Sequence, residues 1–268
     1  MASELADRFL QLHHERGPLL MPNAWDAGSA KLMRSLGFEA LATTSSGHAA
    51  TLGRLDGSVT REEALAHAAA IVAATDLPVS ADLENGFADD PHGVAETVAL
   101  ASETGLAGCS IEDSTGDPKS PIYGFGAACE RVAAAVEAAH RGPRRLVLTA
   151  RAENLIRGRE DLDDTISRLR AYEEAGADVL FAPGLRTVPD IRRLVESVQR
   201  PVNVLAVPGT PPVGELAQLG VSRVSVGGAF AFAALSALLE AAVELRDQGT
   251  YSYLERSAVG IRAVREAF

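Results

Sequence analysis

Four acidic residues lie at or just after the ends of predicted strands. Asp82 and Glu84 are two positions apart at the end of one strand, Glu112 ends the next strand, and Asp56 lies in the loop after an earlier one. If the strand persists to Glu84, its side chain and that of Asp82 point the same way. The Asp82/Glu84 pair alone could be a solvated loop, and Glu112 alone could cap the next segment. Converging carboxylates need a cation between them, so the four together predict a Mg²⁺ site, with Mn²⁺ as the alternative ion.

Arg151 ends the strand that follows Glu112 along the chain. A guanidinium at this position could bind an anionic substrate with two parallel hydrogen bonds, across from the metal. The alternative is a salt bridge between Arg151 and one of the acidic residues. Asn203, late in a further strand, could line the same pocket or make a structural hydrogen bond.

The segment Ser45-Ser46-Gly47-His48 follows the second predicted strand and is expected to be a loop. Small hydroxyl residues beside glycine allow backbone N–H groups to approach a carboxylate or an oxyanion. We therefore count these four residues as candidates for substrate binding. His48 could also be a base, although a single histidine in a turn is more often only a polar contact.

The elements that must position these residues are short apolar runs, which alternate with longer segments rich in Ala, Leu, Glu and Arg. We predict strands at 19–22, 39–43, 78–82, 108–112, 146–151, 179–182, 202–206 and 223–226, and helices near 26–36, 60–74, 92–104, 127–140, 161–175, 187–199, 213–219 and 229–246. Eight strands alternating with eight helices predict a (β/α)₈ TIM barrel, in which chemistry collects at the carboxyl ends of the strands. An open doubly wound sheet is the alternative, but it often has a glycine-rich first turn, which is absent here.

We expect a single domain over residues 1–268, with an N-terminal helix at 2–17, the barrel at 18–246 and a C-terminal helical tail at 247–268. The tail follows the eighth barrel helix and could pack on another subunit. Thr60 and Glu63 predict a capping box at the start of one barrel helix. Four glycines each follow a predicted helix, where a left-handed stop is needed: Gly37, Gly105, Gly176 and Gly220.

The composition is that of an ordinary globular protein, and the net charge is −11. This charge, without any Lys/Arg run, argues against a nucleic-acid surface. No apolar run reaches the roughly 18 residues of a membrane span, and the N-terminus lacks the apolar core of a secretion signal. The two cysteines, Cys109 and Cys129, have no zinc-binding spacing. We expect a cytoplasmic enzyme.

The chain resembles the isocitrate lyase/phosphoenolpyruvate mutase superfamily. The matching stretches are LLMPNAWDAGSAKLMRSLGFEALATTSSGHAATLGRLDG, PVSADLENGFADD, GCSIED, LTARAE and PVNVLA. They occur in the family's order and extend from about residue 18 to about residue 230. The resemblance implies a Mg²⁺-dependent barrel that makes or breaks a C–C or P–C bond in small 2-oxo or 2-hydroxy acids, through an enolate held on the metal.

The resemblance also implies roles for individual residues. Asp82 would be the direct metal ligand, and Asp56, Glu84 and Glu112 would hold the waters of the ion. Ser46 and Gly47 would bind the carboxylate or enolate oxygen of the substrate, and Arg151 would clamp it. The family further implies a homo-oligomer, a dimer or tetramer, in which the C-terminal helical extension is exchanged between subunits.

The residues that select the reaction differ from the family's patterns. The catalytic cysteine of the isocitrate-cleaving branch is missing from the segment after Asp113. Pro118-Lys119 is similar to the gating loop of the mutases, but Ser114 replaces its first lysine and its asparagine is absent. Phe181-Ala-Pro-Gly184 replaces the Phe-Pro-Glu of many lyases. We favour a lyase that cleaves or decarboxylates its substrate. A phosphonate-handling mutase or hydrolase and a non-catalytic barrel that binds 2-oxo acids are the alternatives.

The segment from Ser114 to Phe125 is predicted to be a lid over the site, because its glycines and prolines exclude a regular helix or central strand. Lids exclude water and complete a catalytic set. Lys119 and Tyr123 are its two candidates for proton transfer, with ordinary surface positions as the alternative for each. If neither acts, His48 is the next candidate.

Overall fold

The computed structural model describes residues 2–141 and 144–268. Its strands are β1 (Leu19–Met21), β2 (Asn23–Ala24), β3 (Leu41–Thr43), β4 (Val79–Asp82), β5 (Gly108–Glu112), β6 (Val147–Arg151), β7 (Val179–Phe181), β8 (Val202–Leu205) and β9 (Arg223–Ser225). All neighbouring strands are parallel, in the order β1-β9-β8-β7-β6-β5-β4-β3-β2. Residue 1 and residues 142–143, which belong to the predicted domain, lie outside the described residues.

The sheet closes into a barrel because β1 and β2 are two halves of one predicted strand. Pro22 separates them; it has no N–H to donate, but its carbonyl accepts a hydrogen bond from the Ala42 N–H at 2.9 Å. β1 pairs with β9 and β2 pairs with β3, so the first strand joins the two ends of the sheet. The predicted (β/α)₈ TIM barrel is confirmed, and its eight strands coincide with the predicted runs to within two residues at either end.

The helices are α1 (Ala2–Leu12), α2 (Ala27–Ser35), α3 (Ser45–Thr51), α4 (Arg61–Ala73), α5 (Pro91–Glu103), α6 (Phe125–Arg141), α7 (Leu162–Glu174), α8 (Val188–Ser197), α9 (Val213–Gln218), α10 (Ala229–Gln248) and α11 (Tyr253–Ala267). The predicted capping box is present: the Glu63 N–H donates to the Thr60 hydroxyl, and the Thr60 N–H donates to the Glu63 carboxylate. Gly37, Gly105, Gly176 and Gly220 all have the predicted positive φ.

Two predictions about helices were wrong. Residues 45–51 form α3 rather than a loop, because the Thr44 hydroxyl accepts from the Gly47 N–H and caps the first turn. The N-terminal helix ends at Leu12 rather than near residue 17, since the chain turns there toward Gly17, which has a φ of 85°.

The barrel has a filled amino-terminal end. Phe9 and Leu12 of α1 pack against Leu19, Met21 and residues from the early part of other strands, all of them buried. The remaining apolar core lies between the strands and the surrounding helices. Because α1 fills one end, side chains at the opposite, carboxyl end of the strands are left to form a site.

The two C-terminal helices contribute little to this core. Ala231 is the one buried residue of α10, and α11 has none. Along α10, large apolar side chains are exposed, among them Phe232, Leu238 and Leu239. Helix α11 lies back against α2, where the ring of Phe268 is 5.2 Å from the Lys31 ammonium. In the described part of the chain, no helix combines the length and the apolar character needed to cross a bilayer.

Candidate active site

Arg151 is the centre of an ion-pair network at the carboxyl ends of three adjacent strands. Its Nη1 is 2.9 Å from Asp82 Oδ1, and its Nη2 is 3.0 Å from Glu112 Oε2. The same Nη2 lies 2.9 Å from Glu153 Oε1. Asp82, Glu112 and Arg151 are the last residues of β4, β5 and β6. The parallel register pairs Glu112 with Arg151, whereas Asp82 pairs with Ser110, so it is the long Arg151 side chain that reaches both carboxylates. The structure thus unites three predicted site residues, and the salt-bridge alternative for Arg151 is present in it.

The loop after β4 carries Glu84 in a way that the sequence did not indicate. The strand ends at Asp82, so the premise that it persists to Glu84 was wrong. Glu84 has a φ of 48°, a left-handed conformation that costs a residue with a Cβ about 1–3 kcal/mol. Its N–H lies 3.4 Å from Asp82 Oδ1, and its carbonyl accepts from the Glu112 N–H at 2.9 Å. A turn, rather than strand alternation, therefore brings the two carboxylates together.

Acidic residues outnumber basic ones at this end of the barrel. Burial, together with the nearby charges of Asp82 and Asp56, raises the pKa of Glu84 to about 7. Burial is also the main cause of the raised pKa of Glu112, although Arg151 opposes it. Among the described residues, no ion pair within 4 Å involves Glu84 or Asp56. The electrostatics therefore favour an additional cation beside these carboxylates.

The donor set fits a hydrated divalent ion better than a fully protein-ligated one. In residues 2–141 and 144–268, no three His, Cys, Asp or Glu side chains form a group that could hold a metal by themselves. Mg²⁺ commonly uses only one or two carboxylates and keeps several waters. Asp82 with its neighbours Glu84 and Asp56 satisfies that requirement, and all three line the cavities described next.

Two adjoining cavities open at the site. The inner cavity is about 210 Å³ and extends into the barrel, where Asp82 and Ser46 contribute to its lining. The outer cavity is about 510 Å³ and is bounded by the loops after β4, β5 and β6. Ser45, Asp56 and Arg151 line both. A small anion in the inner cavity would thus contact the guanidinium and the start of α3.

Helix α3 brings only some of its predicted residues to the cavities. The Ser45 N–H points at Asp82 Oδ2 at 3.3 Å, and both Ser45 and Ser46 line the inner cavity. The Gly47 N–H is used by the cap on Thr44 Oγ1, and Gly47 is not part of either cavity wall. A Cβ at Gly47 would lie 2.5 Å from Thr44 Cγ2 and 3.2 Å from Trp25 Cβ. The observed use of Gly47 is therefore close packing.

His48 lies behind the site rather than in it. Its ring stacks on that of His67, with 3.8 Å between centroids and an interplanar angle of 10°. Neither ring nitrogen of His48 has a hydrogen-bond partner among the described residues. Burial lowers its pKa, so a neutral ring is favoured. Because His48 lines neither cavity, the geometry gives no support to its predicted roles in substrate binding and proton transfer.

Asn203 lines the inner cavity and is also held by structural hydrogen bonds. Its Oδ1 accepts from Arg223 Nε at 2.9 Å, and its Nδ2 donates to Ser225 Oγ at 2.9 Å. Arg223 is buried at the floor of the cavity, where burial and the charge of Arg151 lower its pKa to about 9. The sequence analysis did not identify Arg223, since an arginine that begins a strand gives no sign of which way it points.

Two further charged residues of the site were also missed. Glu153 is fully buried between Arg151 and Arg157, and Arg157 Nη2 is 3.3 Å from Glu112 Oε1. The spacing of Glu153 and Arg157, four residues apart, was the available signal. Asp113 was treated only as part of a motif; its Oδ2 accepts from Tyr172 at 2.7 Å, and its Oδ1 accepts from the Glu153 N–H at 2.8 Å.

The predicted lid is irregular, as expected, except for one antiparallel bridge between Ser114 and Ile122. Lys119 is exposed and lines neither cavity. Tyr123 also lies outside both cavity walls; its hydroxyl donates to Asp89 Oδ1 at 2.7 Å, and burial raises its pKa to about 12. In this arrangement, neither candidate for proton transfer faces Arg151.

In TIM-barrel enzymes, the active site lies at the carboxyl ends of the strands. The acidic residues and Arg151 converge at this end, so the fold and the site are those of a TIM-barrel enzyme. A family model described as phosphoenolpyruvate phosphomutase matches residues 9–246 of the chain. The chain therefore belongs to this family, within the isocitrate lyase/PEP mutase superfamily, as its motifs predicted.

Three known proteins illustrate the relationship. The crystal structure of a candidate lyase/mutase from Burkholderia cenocepacia J2315 is 52% identical with a TM-score of 0.92, and the match covers 95% of this chain and 92% of that one. The crystal structure of 2,3-dimethylmalate lyase is 28% identical with a TM-score of 0.83, covering 92% and 89%. A 2-methylisocitrate lyase from Halalkalibacterium halodurans is 34% identical over 74% of this chain and 66% of its own length.

Proposed function

We propose that this protein is a Mg²⁺-dependent lyase that cleaves or decarboxylates a small 2-oxo or 2-hydroxy carboxylic acid. The observation that carries the proposal is the convergence of Arg151 with Asp82 and Glu112, beside the carboxylates of Glu84 and Asp56, which form no ion pair with any described residue. The lyases among the similar proteins support the same reaction class.

The metal would be held by Asp82 directly, with Asp56, Glu84 and Glu112 binding its waters. When bound, Mg²⁺ supplies a Lewis acid that stabilises an enolate. Mn²⁺, which also accepts oxygen ligands, is the alternative ion. The ion pairs from Arg151 to Asp82 and Glu112 keep these carboxylates oriented toward the cavities.

The substrate would bind as an anion between Arg151 and the first residues of α3. The guanidinium provides planar donors for a carboxylate, and Ser45 and Ser46, which line the same cavity, provide hydroxyl groups. The inner cavity of about 210 Å³ restricts this part of the substrate to a few heavy atoms. Asn203 would contribute at the side of the cavity. Lys119 and Tyr123 stay candidates for proton transfer only if the lid moves.

A mutase or hydrolase that acts on a P–C bond is the second candidate, because the matching family model is that of a phosphomutase. A barrel that binds a 2-oxo acid without reaction is the third. One assay separates them: the protein is incubated with Mg²⁺ and a panel of 2-hydroxy and 2-oxo di- and tricarboxylates and phosphonopyruvate. Release of pyruvate or glyoxylate supports the lyase, release of phosphate or conversion of the phosphonate supports the second candidate, and binding without product supports the third.

For the whole protein, we propose a single domain in a homo-oligomer, a dimer or tetramer with exchanged C-terminal helices, located in the cytoplasm. The exposed apolar side chains of α10 support the exchange, because a helix that is apolar on most sides is normally buried. The partner would then be a second copy of this chain, and the negative net charge argues against nucleic acid.

A further inference from the structure

The loop between β4 and α5, residues 83–90, has an unusual backbone. Glu84 and Phe87 have φ values of 48° and 55°, and Gly86 between them has 78°. Residues with a Cβ persist in this conformation only where the surroundings over-determine it. The loop carries Glu84 to the site, so whatever fixes its backbone also fixes the position of that carboxylate.

The Glu84 backbone is held by Glu112 and Asp82, and the Gly86 carbonyl accepts from the Thr97 hydroxyl at 2.7 Å. A further restraint on the rest of the loop comes from Arg131, a residue of α6 that is only 2% exposed. Its Nη1 donates to the carbonyl of Ala88 at 2.6 Å and also to the carbonyl of Asp89. Its Nη2 donates to the carbonyl of Asn85. Among the described residues, no carboxylate lies within 4 Å of this guanidinium to form an ion pair. The buried guanidinium of Arg131 thus donates its hydrogen bonds to three backbone carbonyls of a single loop.

The same guanidinium contacts the lid. The ring of Tyr123 lies against it, with 4.0 Å from Arg131 Cζ to the ring centroid, a cation–π arrangement. The Tyr123 hydroxyl donates to Asp89 Oδ1 at 2.7 Å, at the far end of the loop. The Tyr123 carbonyl in turn accepts from Arg168 Nη1 at 2.9 Å, which anchors this part of the lid to α7. Lid and loop therefore meet on one side chain.

We infer that Arg131 and Tyr123 form a clamp in which Arg131 holds the backbone of residues 83–90 and Tyr123 ties the lid to that loop, so that together they position Glu84. Both are positioning residues, since neither lines a cavity. The part of this inference that concerns metal binding rests on the proposed function, whereas the part that concerns the loop does not. It also gives Tyr123 a role other than proton transfer.

The test compares Arg131→Gln with Arg141→Gln, a matched control near the end of the same helix whose side chain is 79% exposed. Hydrogen exchange of the intact chain reports on the loop, where the Gly86 and Phe87 N–H groups are hydrogen-bonded. Calorimetry with Mg²⁺ alone reports on the site. We expect Arg131→Gln to accelerate exchange across residues 83–90 and to weaken Mg²⁺ binding about tenfold, while Arg141→Gln changes neither. Arg131→Lys can still donate to carbonyls, so it should restore part of the loop protection and part of the Mg²⁺ affinity.

A second pair of variants keeps the inference testable if Arg131→Gln does not fold. Tyr123→Phe keeps the ring over the guanidinium, and Tyr123→Leu removes it, at a half-buried position in the lid. We expect faster loop exchange and severalfold weaker Mg²⁺ binding in Tyr123→Leu, and a smaller change in Tyr123→Phe, which loses only the hydrogen bond to Asp89. If folded Arg131→Gln exchanges the loop amides at the wild-type rate, the proposed clamp is wrong. If Arg131→Gln does not fold, the same result in Tyr123→Leu would contradict the clamp. If the wild type binds no Mg²⁺, the proposed function fails, and the exchange rates still decide the clamp.

Discussion

The guanidinium of Arg151 contacts three carboxylates, and its charge affects the electrostatics of each of them. Each of its partners is the last residue of a strand or lies just beyond one. The positive charge of Arg151 opposes the rise that burial causes in the pKa of Glu112. In the proposed function, the same charge would also attract an anionic substrate into the inner cavity. Arg151 would then serve the site and the fold together.

Arg151→Lys should separate these two contributions. Lysine keeps the charge but lacks the planar fork, so we expect affinity for oxalate in the presence of Mg²⁺ to fall about tenfold or more. Calorimetry measures the affinity, and a thermal melt measures the fold. Arg145→Lys is the matched control, because Arg145 pairs with Asp178 away from both cavities. Unchanged oxalate affinity together with a large fall in Tm would show that Arg151 serves only the fold.

Glu84→Gln should show a pH-dependent gain in stability without metal. The pKa of Glu84 is raised to about 7 in the folded protein, above the ordinary value of 4.5. The folded state therefore binds the proton more tightly, and stability falls as the pH rises from about 4.5 through 7. Glutamine removes this loss, so the variant should exceed the wild type in Tm by about 2 °C or more at pH 8 and by little at pH 5.

Melts without and with Mg²⁺ complete this experiment. The ion should abolish the advantage of Glu84→Gln at pH 8, since it offsets the repulsion among Glu84, Asp82 and Asp56. Glu103→Gln, at the exposed end of α5, is the control. An advantage of Glu84→Gln that is equal at both pH values would contradict the raised pKa.

At the scale of elements, α3 is the clearest case in which packing decides the structure. Its sequence Ser-Ser-Gly-His-Ala-Ala-Thr contains mostly weak helix formers, so local propensity indicated a loop. The Thr44 cap and the close contacts of Gly47 with Trp25 and Ala231 form the helix nonetheless. The Thr44 cap is local, but the contacts of Gly47 with Trp25 and Ala231 join residues far apart in the chain, so the sequence pattern could not predict them.

Gly47→Ala should destabilise the protein by about 1–3 kcal/mol, because the new Cβ would meet Thr44 Cγ2 at 2.5 Å. Urea unfolding measures the free energy. Gly126→Ala is the matched control, since Gly126 is also in a helix and has no atom within 4 Å of the added Cβ. There, alanine should stabilise by about 0.5–1 kcal/mol through its helix propensity. A neutral or stabilising Gly47→Ala would contradict the packing account of α3.

For the whole molecule, the barrel could be predicted because each strand and helix is encoded locally, by an apolar run, a cap or a glycine stop. The convergence of Asp82, Glu112 and Arg151 could also be predicted, since strand order places consecutive strand ends side by side. The contacts of Arg157 with Glu112 and of Arg223 with Asn203 could not, because they depend on side-chain direction across the barrel. Glu112 and Arg157, for example, are 45 residues apart in the chain.

The C-terminal helices lead to a prediction at the same scale. Leu238 and Leu239 of α10 are each 64% exposed, and patches of such residues on a single chain commonly mark an interface. We expect the wild type to sediment as a dimer or tetramer, and Leu238→Glu combined with Leu239→Glu to sediment as a smaller species. Gln248→Glu adds charge at the end of the same helix and should leave the assembly intact. A monomeric wild type would contradict helix exchange.

The central claim, that Asp82 binds the metal on which the substrate depends, is tested most directly by calorimetry of Asp82→Ala. The wild type should bind oxalate or pyruvate only when Mg²⁺ is present. In the variant, this metal-dependent binding should be lost while circular dichroism and the cooperative thermal transition persist, because Asp82 lies at the end of its strand rather than in the apolar core. Metal-dependent oxalate binding by Asp82→Ala with wild-type affinity would contradict the account.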